Sequence, residues 1–204
     1  MCVIVAKYFE GIGWAGAKNR DRQYIPTLDF VESNDQGIGR MMMHDQVTGY
    51  KEGINSSGLS ILNTSLDVYD DETEVDAGTA DTSPDGKIIA EALLQDNAVE
   101  AVKVILKGKM GGCTIVFDRD NLFLIEASDW DGTKPYKYIA KKIPQDQVVA
   151  RTNHGVWLPT AGYQRKPTNK SETMSRISSE SRLLLAEAVG LRAEDPEDLV
   201  DGMC

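Results

Sequence analysis

Cys2-Val3-Ile4-Val5-Ala6-Lys7-Tyr8-Phe9, followed by Glu10-Gly11-Ile12-Gly13 and Trp14-Ala15-Gly16-Ala17, is the stretch from which the rest of the chain is read. The residues after Cys2 are β-branched, small or aromatic and predict a buried first strand. Gly11-Ile12-Gly13 predicts the turn of a hairpin whose second arm begins at Gly13. That hairpin returns Lys18-Asn19-Arg20-Asp21-Arg22 to the side of Cys2. Met1 precedes Cys2, so removal of the initiator residue would leave a cysteine carrying both a thiol and a free α-amine. An α-amine has a reference pKa of about 7.7–8.0 and is able to accept the thiol proton near neutrality. Nucleophile and base would then share one residue, fixed at the rim of a sheet and needing neither a propeptide nor a distant His.

Acyl transfer at such a thiol calls for a cation that favours thiolate and a carboxylate that holds the ammonium. Lys18, Arg20 and Asp21 supply both on the returning arm, although a charged run of this kind is also the ordinary make-up of a solvent-facing turn. Composition sets the outer limits. The chain has 204 residues, 41% of them hydrophobic, with no long apolar run and no leader pattern, which predicts one soluble domain over residues 2–204. Three cysteines in odd number without metal spacing, together with only two histidines, predict a reduced cytoplasmic setting and no zinc site. Against 22 Lys and Arg stand 32 Asp and Glu, a formal charge of −10, which disfavours nucleic-acid or anionic-membrane partners. Eight acidic residues fall between Asp67 and Asp85 with no Lys or Arg among them, predicting an exposed loop over 67–85.

The order of elements reads strand-rich, helical, strand-rich, helical. Strands are expected near 2–9, 13–18, 28–33, 37–44, 48–54 and 58–65. A helix opens at Ser83-Pro84 and runs through Leu93-Leu94, and a second covers Ala98–Leu106. Cys113–Phe117 and Leu122–Ile125 read as a hairpin joined by Asp118-Arg119-Asp120-Asn121, with further strands at Lys134–Lys141 and Gln147–Thr152. Met174, Ile177, Ser181, Leu184, Leu185 and Ala188 share one helical face ending at Gly190, and Asp195 caps a short helix over Pro196–Asp201. An α+β architecture accounts for this order: two antiparallel sheets with helices outside, a four-layer αββα sandwich.

Several segments then match a known family in order. Cys2, Ala17-Lys18-Asn19-Arg20-Asp21, Gly53-Ile54-Asn55-Ser56-Ser57-Gly58-Leu59, Thr152-Asn153-His154 and Ser178-Ser179-Glu180-Ser181-Arg182 resemble the cysteine N-terminal nucleophile (Ntn) hydrolases. The resemblance is to the branch of choloylglycine hydrolase, penicillin V acylase and isopenicillin N acyltransferase-like proteins, and it spans residues 2 to about 185. It implies the αββα Ntn fold and hydrolysis of a linear, non-peptide amide through a Cys2 thioester, with no cofactor or metal. The chain departs from the family at Lys18, where the usual residue is Arg. Lys keeps the charge but not the planar fork, so either Lys18 acts as a point charge or Arg20 takes the role.

In the scheme that follows, Cys2 Sγ attacks and its α-amine shuttles the proton. Asn63, at the end of Leu59-Ser60-Ile61-Leu62, donates to the oxyanion with a backbone N–H. Asp21 orients the amine, Asn153 positions amine and substrate, and Arg182 with Lys18 or Arg20 stabilises thiolate. Trp14, Trp130, Trp157 and Tyr163 are candidates for an acyl pocket. Cys113 reads as a buried apolar residue, and His154 as structural. The expected partner is a small-molecule acyl amide, with a homo-oligomer left open. An acyltransferase with the same acyl-enzyme, or a catalytically silent binding or structural protein on the same fold, are the alternatives.

Overall fold

The computed structural model describes residues 2–20, 28–35, 37–45, 49–66, 84–128, 135–158 and 170–203. In chain order these form β1 (Cys2–Phe9), β2 (Gly13–Arg20), β3 (Leu28–Asp35), β4 (Ile38–Asp45), β5 (Tyr50–Asn55), β6 (Ser60–Thr64), α1 (Pro84–Ala92) and α2 (Ala98–Gly108). They continue as β7 (Gly112–Phe117), β8 (Leu122–Ala127), β9 (Tyr138–Ile143), β10 (Val149–Arg151), α3 (Lys170–Arg192) and α4 (Pro196–Asp201). Asp67 to Ser83 lie outside the described residues, so both the expected acidic loop, apart from its last two residues, and the expected Ser83 cap do too. Asp85 falls in the first turn of α1.

The opening hairpin forms as read, with Gly11 and Gly13 at positive φ, 80° and 114°, where a side chain would be strained. β10 pairs with the other edge of β1, so the chain's first strand is the middle of a three-stranded sheet ordered β10-β1-β2. The remaining strands make a seven-stranded sheet in sequence order from β3 to β9, and every pairing in both sheets is antiparallel. β9 starts at Tyr138 rather than Lys134 because its register is set by β8, with Tyr138 opposite Ala127 and Ile143 opposite Leu122.

Alternation along β1 decides the layers. Ile4 and Ala6 pack with Trp14, Ile115, Phe117, Leu122 and Leu124, between the two sheets. Val5 and Phe9 point the other way, to Ala186 and Ala193 at α3 and Leu199 of α4. On its far face the large sheet packs Ile61, Val116 and Ile125 against Ile89, Leu93, Val102 and Ile105 from α1, α2 and the segment between them. The order is therefore helices, small sheet, large sheet, helices.

α3 departs from expectation in two ways. It runs through Gly190 to Arg192, because Gly190 is not a terminator but a point of close approach: a Cβ there would stand 2.4 Å from Val148 Cγ1 and 3.0 Å from Val5 Cγ2. Its apolar stripe also faces outward. Met174, Ile177, Leu184, Leu185 and Leu191 are exposed, while Ser179, Ala186 and Gly190 face the small sheet. The small residues are used where the helix must lie close to β1 and β10. α4 has the expected cap, Asp195 accepting from Asp198 N at 2.9 Å. Among the described residues no helix is long and apolar enough to cross a membrane.

Candidate active site

Cys2 is the first residue of the central strand of the small sheet, buried, with Arg20 directly opposite it on β2. Its main-chain groups are held from both sides. Cys2 N donates to Asn153 Oδ1 at 2.7 Å, and Arg182 Nη1 donates to Cys2 O at 2.8 Å. Residues from the first and last thirds of the chain thus meet on a single residue. Beside it lies a cavity of about 450 Å³, lined by Cys2, Asn19, Arg20, Arg182, Leu185 and Met203 among others.

Asn153 is rigidly mounted. It directly follows β10 and Thr152, is fully buried, and its Nδ2 donates to Ser65 O at 2.8 Å. With Nδ2 so engaged, Oδ1 is the atom turned to Cys2 N. Behind it, Thr152 Oγ1, Ser179 Oγ and His154 Nδ1 lie within 2.9 Å of one another, and Ser179 Oγ also accepts from Asn153 N at 3.3 Å. The segment Ser178-Ser179-x-x-Arg182 therefore reaches the site twice, through Ser179 to the Asn153 loop and through Arg182 to Cys2. His154 sits in this support and serves as no more than a member of it.

A second clamp fixes the same loop from beyond. Glu126, fully buried on β8, pairs with Arg151 Nε at 2.6 Å and accepts from the amides of Val156, Trp157 and Leu158 at 3.0, 2.6 and 3.0 Å through its other oxygen. Arg151 in turn stacks 4.7 Å from the Trp157 ring. Cys113 lies next to this pair; burial, reinforced by the Glu126 charge, pushes its thiol far up, so it is held as an inert protonated group.

Lys18 and Arg20 sit two apart on β2 and point between the sheets, into a second cavity of about 340 Å³ that also has Met41, Met43, Leu62 and Phe117 in its walls. Two buried cations require buried anions, and two strands of the large sheet supply them. Glu52 Oε2 takes Lys18 Nζ at 2.5 Å, and Asp45 Oδ2 lies 3.1 Å from Arg20 Nη2, with Glu52 Oε1 3.6 Å from Arg20 Nη1. The Tyr50 ring lies 5.3 Å from Lys18 Nζ and 4.9 Å from Arg20 Cζ. Lys18 also donates to Asn63 O at 2.6 Å, so two of its three N–H groups are committed. Arg20 is different: among the described residues its Nε, Nη1 and Nη2 are buried without an aligned hydrogen-bond acceptor, as are Nε and Nη2 of Arg182. Arg20 lines both cavities and Lys18 only the second.

Of the residues expected at the site, Cys2, Arg20, Asn153 and Arg182 come together, and Lys18 stands two pairs along, opposite Ile4. Asn63 does not present its side chain to Cys2. Alternation on β6 puts it on the face of Ile61, toward α1 and α2, and its Nδ2 donates to Thr114 Oγ1 at 2.6 Å and Gly111 O at 3.4 Å. Asp21, Trp130 and Tyr163 lie outside the described residues. Trp14 packs edge-on to Tyr8 between the sheets and Trp157 lies under Lys141 and Arg151; neither lines the cavity at Cys2. Asn55, from the matched Gly53–Leu59 segment, is a turn residue, accepting from Ser57 N and Leu59 N and donating to Leu93 O and Gln95 O.

Asp45, Glu52 and Glu126 escaped the sequence reading. The signal was present in the phase of the strands: Lys18 and Arg20 share a face with Trp14 and Gly16, and Glu126 ends the apolar run Leu122–Ile125. A charge in the inward phase of a buried strand demands a partner in the same layer. Among the described residues no group of His, Cys, Asp and Glu side chains is placed to hold a metal ion. In comparisons with known proteins, neither a family model nor a curated relative matches the chain.

Proposed function

We propose that the chain is a cysteine N-terminal nucleophile hydrolase of the αββα Ntn fold, cleaving a linear amide through a thioester on Cys2. The observation that carries this reading is the hydrogen bond from Cys2 N to the locked carboxamide oxygen of Asn153 at 2.7 Å, beside a cavity of about 450 Å³.

Once Met1 is removed, Cys2 N is an α-amine, and the Asn153 acceptor holds one of its protons. The amine takes the thiol proton, Sγ forms a bond to the amide carbon, and the amine returns the proton to the departing nitrogen as the C–N bond breaks. Water, deprotonated by the same amine, cleaves the thioester and releases a carboxylic acid. Arg20 rather than Lys18 takes the thiolate-facing role, since Lys18 is spent on Glu52 and Asn63 O. With Asn63 Nδ2 engaged elsewhere, this reading gives the developing oxyanion the N–H groups of Arg20 and Arg182 that have no aligned acceptor among the described residues.

The test is an intact-mass experiment on purified protein. Loss of Met1, together with a single covalent adduct from an activated acyl donor mapping to Cys2 and released by hydroxylamine, is the expected result. Retention of Met1 in all of the protein, or acylation with no preference for Cys2, would favour a silent binding protein on the same scaffold.

A further inference from the structure

The outward stripe of α3 obeys a stricter rule than amphipathicity. Met174, Ile177, Ser181, Leu184, Ala188 and Leu191 follow one another at intervals of three and four residues, the spacing of a coiled-coil seam. Met174, Ile177, Leu184 and Leu191 are 56%, 49%, 67% and 71% exposed, and Leu185, which flanks the seam, 64%. Positions half a turn away, Ser179 and Ala186, are the ones buried against the chain's own small sheet. The helix thus has two packing faces, and among the described residues only one is used.

We infer that α3 is the interface of a homodimer in which two copies of the helix pack antiparallel about a two-fold axis passing between residues 182 and 183. The pattern of sizes argues for a second copy. An antiparallel two-fold places each seam residue against the one at the mirrored position. Ser181 then meets Leu184, Ile177 meets Ala188, and Met174 meets Leu191. In the two central layers a small residue faces a large one, the arrangement that lets helices approach to the usual 8–10 Å without leaving voids. A parallel pair would set Leu184 on Leu184 and Ser181 on Ser181, alternating crowded and empty layers. A closed two-fold also uses the same patch on both partners, as isologous dimers do.

The area is sufficient. Taking about 200 Å² for a fully exposed residue of this size, the five exposed side chains offer roughly 600 Å² per copy, and a pair reaches the lower end of the range for specific interfaces, about 1,200 Å². Glu180 and Glu187 border the seam on the side away from Leu185, so association strengthens as salt screens them. Leu185 both flanks the seam and lines the cavity at Cys2, which places the dimer interface at the wall of that cavity.

Sedimentation velocity on the full chain, from 1 to 100 μM in 0.15 M salt, is expected to show a monomer–dimer equilibrium that Leu184→Glu weakens at least about 100-fold, because symmetry introduces the charge twice. Circular dichroism of that variant is expected to be unchanged, since residue 184 is exposed in the monomer. Ser181→Leu alone is expected to weaken the dimer by crowding the central layers, and Ser181→Leu with Leu184→Ser to restore it, because the mirrored pairs are again large on small. A monomer throughout the range, or a dimer indifferent to Leu184→Glu, would overturn the interface. Failure of the double variant to recover would overturn the antiparallel pairing.

Discussion

At the scale of single residues, the arrangement separates two cations that look interchangeable in the sequence. Arg20 stands opposite Cys2 with buried N–H groups that have no aligned acceptor among the described residues, while Lys18 is held between Glu52 and Asn63 O. Arg20→Lys is therefore expected to lower turnover about 10-fold or more with little loss of stability, because the charge stays near Asp45 but the fork is lost. Lys18→Met is expected to act mainly on stability, by about 2–3 kcal/mol in urea denaturation, because it strands part of the Glu52 charge in a buried layer. Comparable losses of turnover from both would return Lys18 to the mechanism. Asp118 is a second informative residue. Burial alone would raise its pKa, but the amides of Ala98, Asp120 and Asn121 and the Asn121 side chain overcome this and hold it below the ordinary value of 3.8. A carboxyl depressed in the folded state stabilises above its unfolded pKa and loses that contribution as pH falls through the folded value. Asp118→Asn is expected to cost about 1 kcal/mol at pH 7, with the difference from the native chain shrinking in acid below about pH 4; a gap unchanged down to pH 2 would assign the effect to shape rather than charge.

Elements were legible where the pattern is local and obscure where it depends on what lies across the interface. β1 and β2 announce themselves by β-branched residues and a glycine turn, and the Asp118–Asn121 hairpin by its Asx chemistry. The period of β9 was visible, but its start is fixed by β8, which no local pattern reveals. α3 was legible as a helix with one apolar face, but its extent and the face it turns to the sheet were not, because close packing on the sheet selected Ser179, Ala186 and Gly190. At the site, Cys2, Asn153 and Arg182 were found because their segments resemble a family; Asp45, Glu52 and Glu126 have no motif and are defined only by partners far along the chain. Two element-scale predictions follow from packing. Gly190→Ala gains helix propensity of about 1 kcal/mol, yet its Cβ would collide with Val148, so a net loss of about 1–2 kcal/mol is expected by thermal denaturation. Glu126→Gln leaves Arg151 without its carboxylate and is expected to cost about 3 kcal/mol, exposing the 152–158 loop to proteolysis before global unfolding.

For the whole molecule, the long distance is along the chain rather than across it: Ile4 pairs with Arg151, and Arg182 closes over Cys2. The strand made first is enclosed last, since its second neighbour and its covering helix arrive only when most of the chain exists. Ordering in time follows. An aminopeptidase that trims the first residue needs an end it can reach, and Cys2 in the finished protein is buried and held at both main-chain groups. On the proposed reading, the enzyme must therefore be armed while it is still being synthesised, and a molecule that folds with Met1 attached stays disarmed however long it survives. Protein made with the trimming step inhibited is expected to retain Met1 when later exposed, folded, to methionine aminopeptidase, and to lose it only after unfolding and dilution into the same enzyme; brisk trimming of the folded form, followed by mass spectrometry, would show instead that the first strand opens freely in the native state.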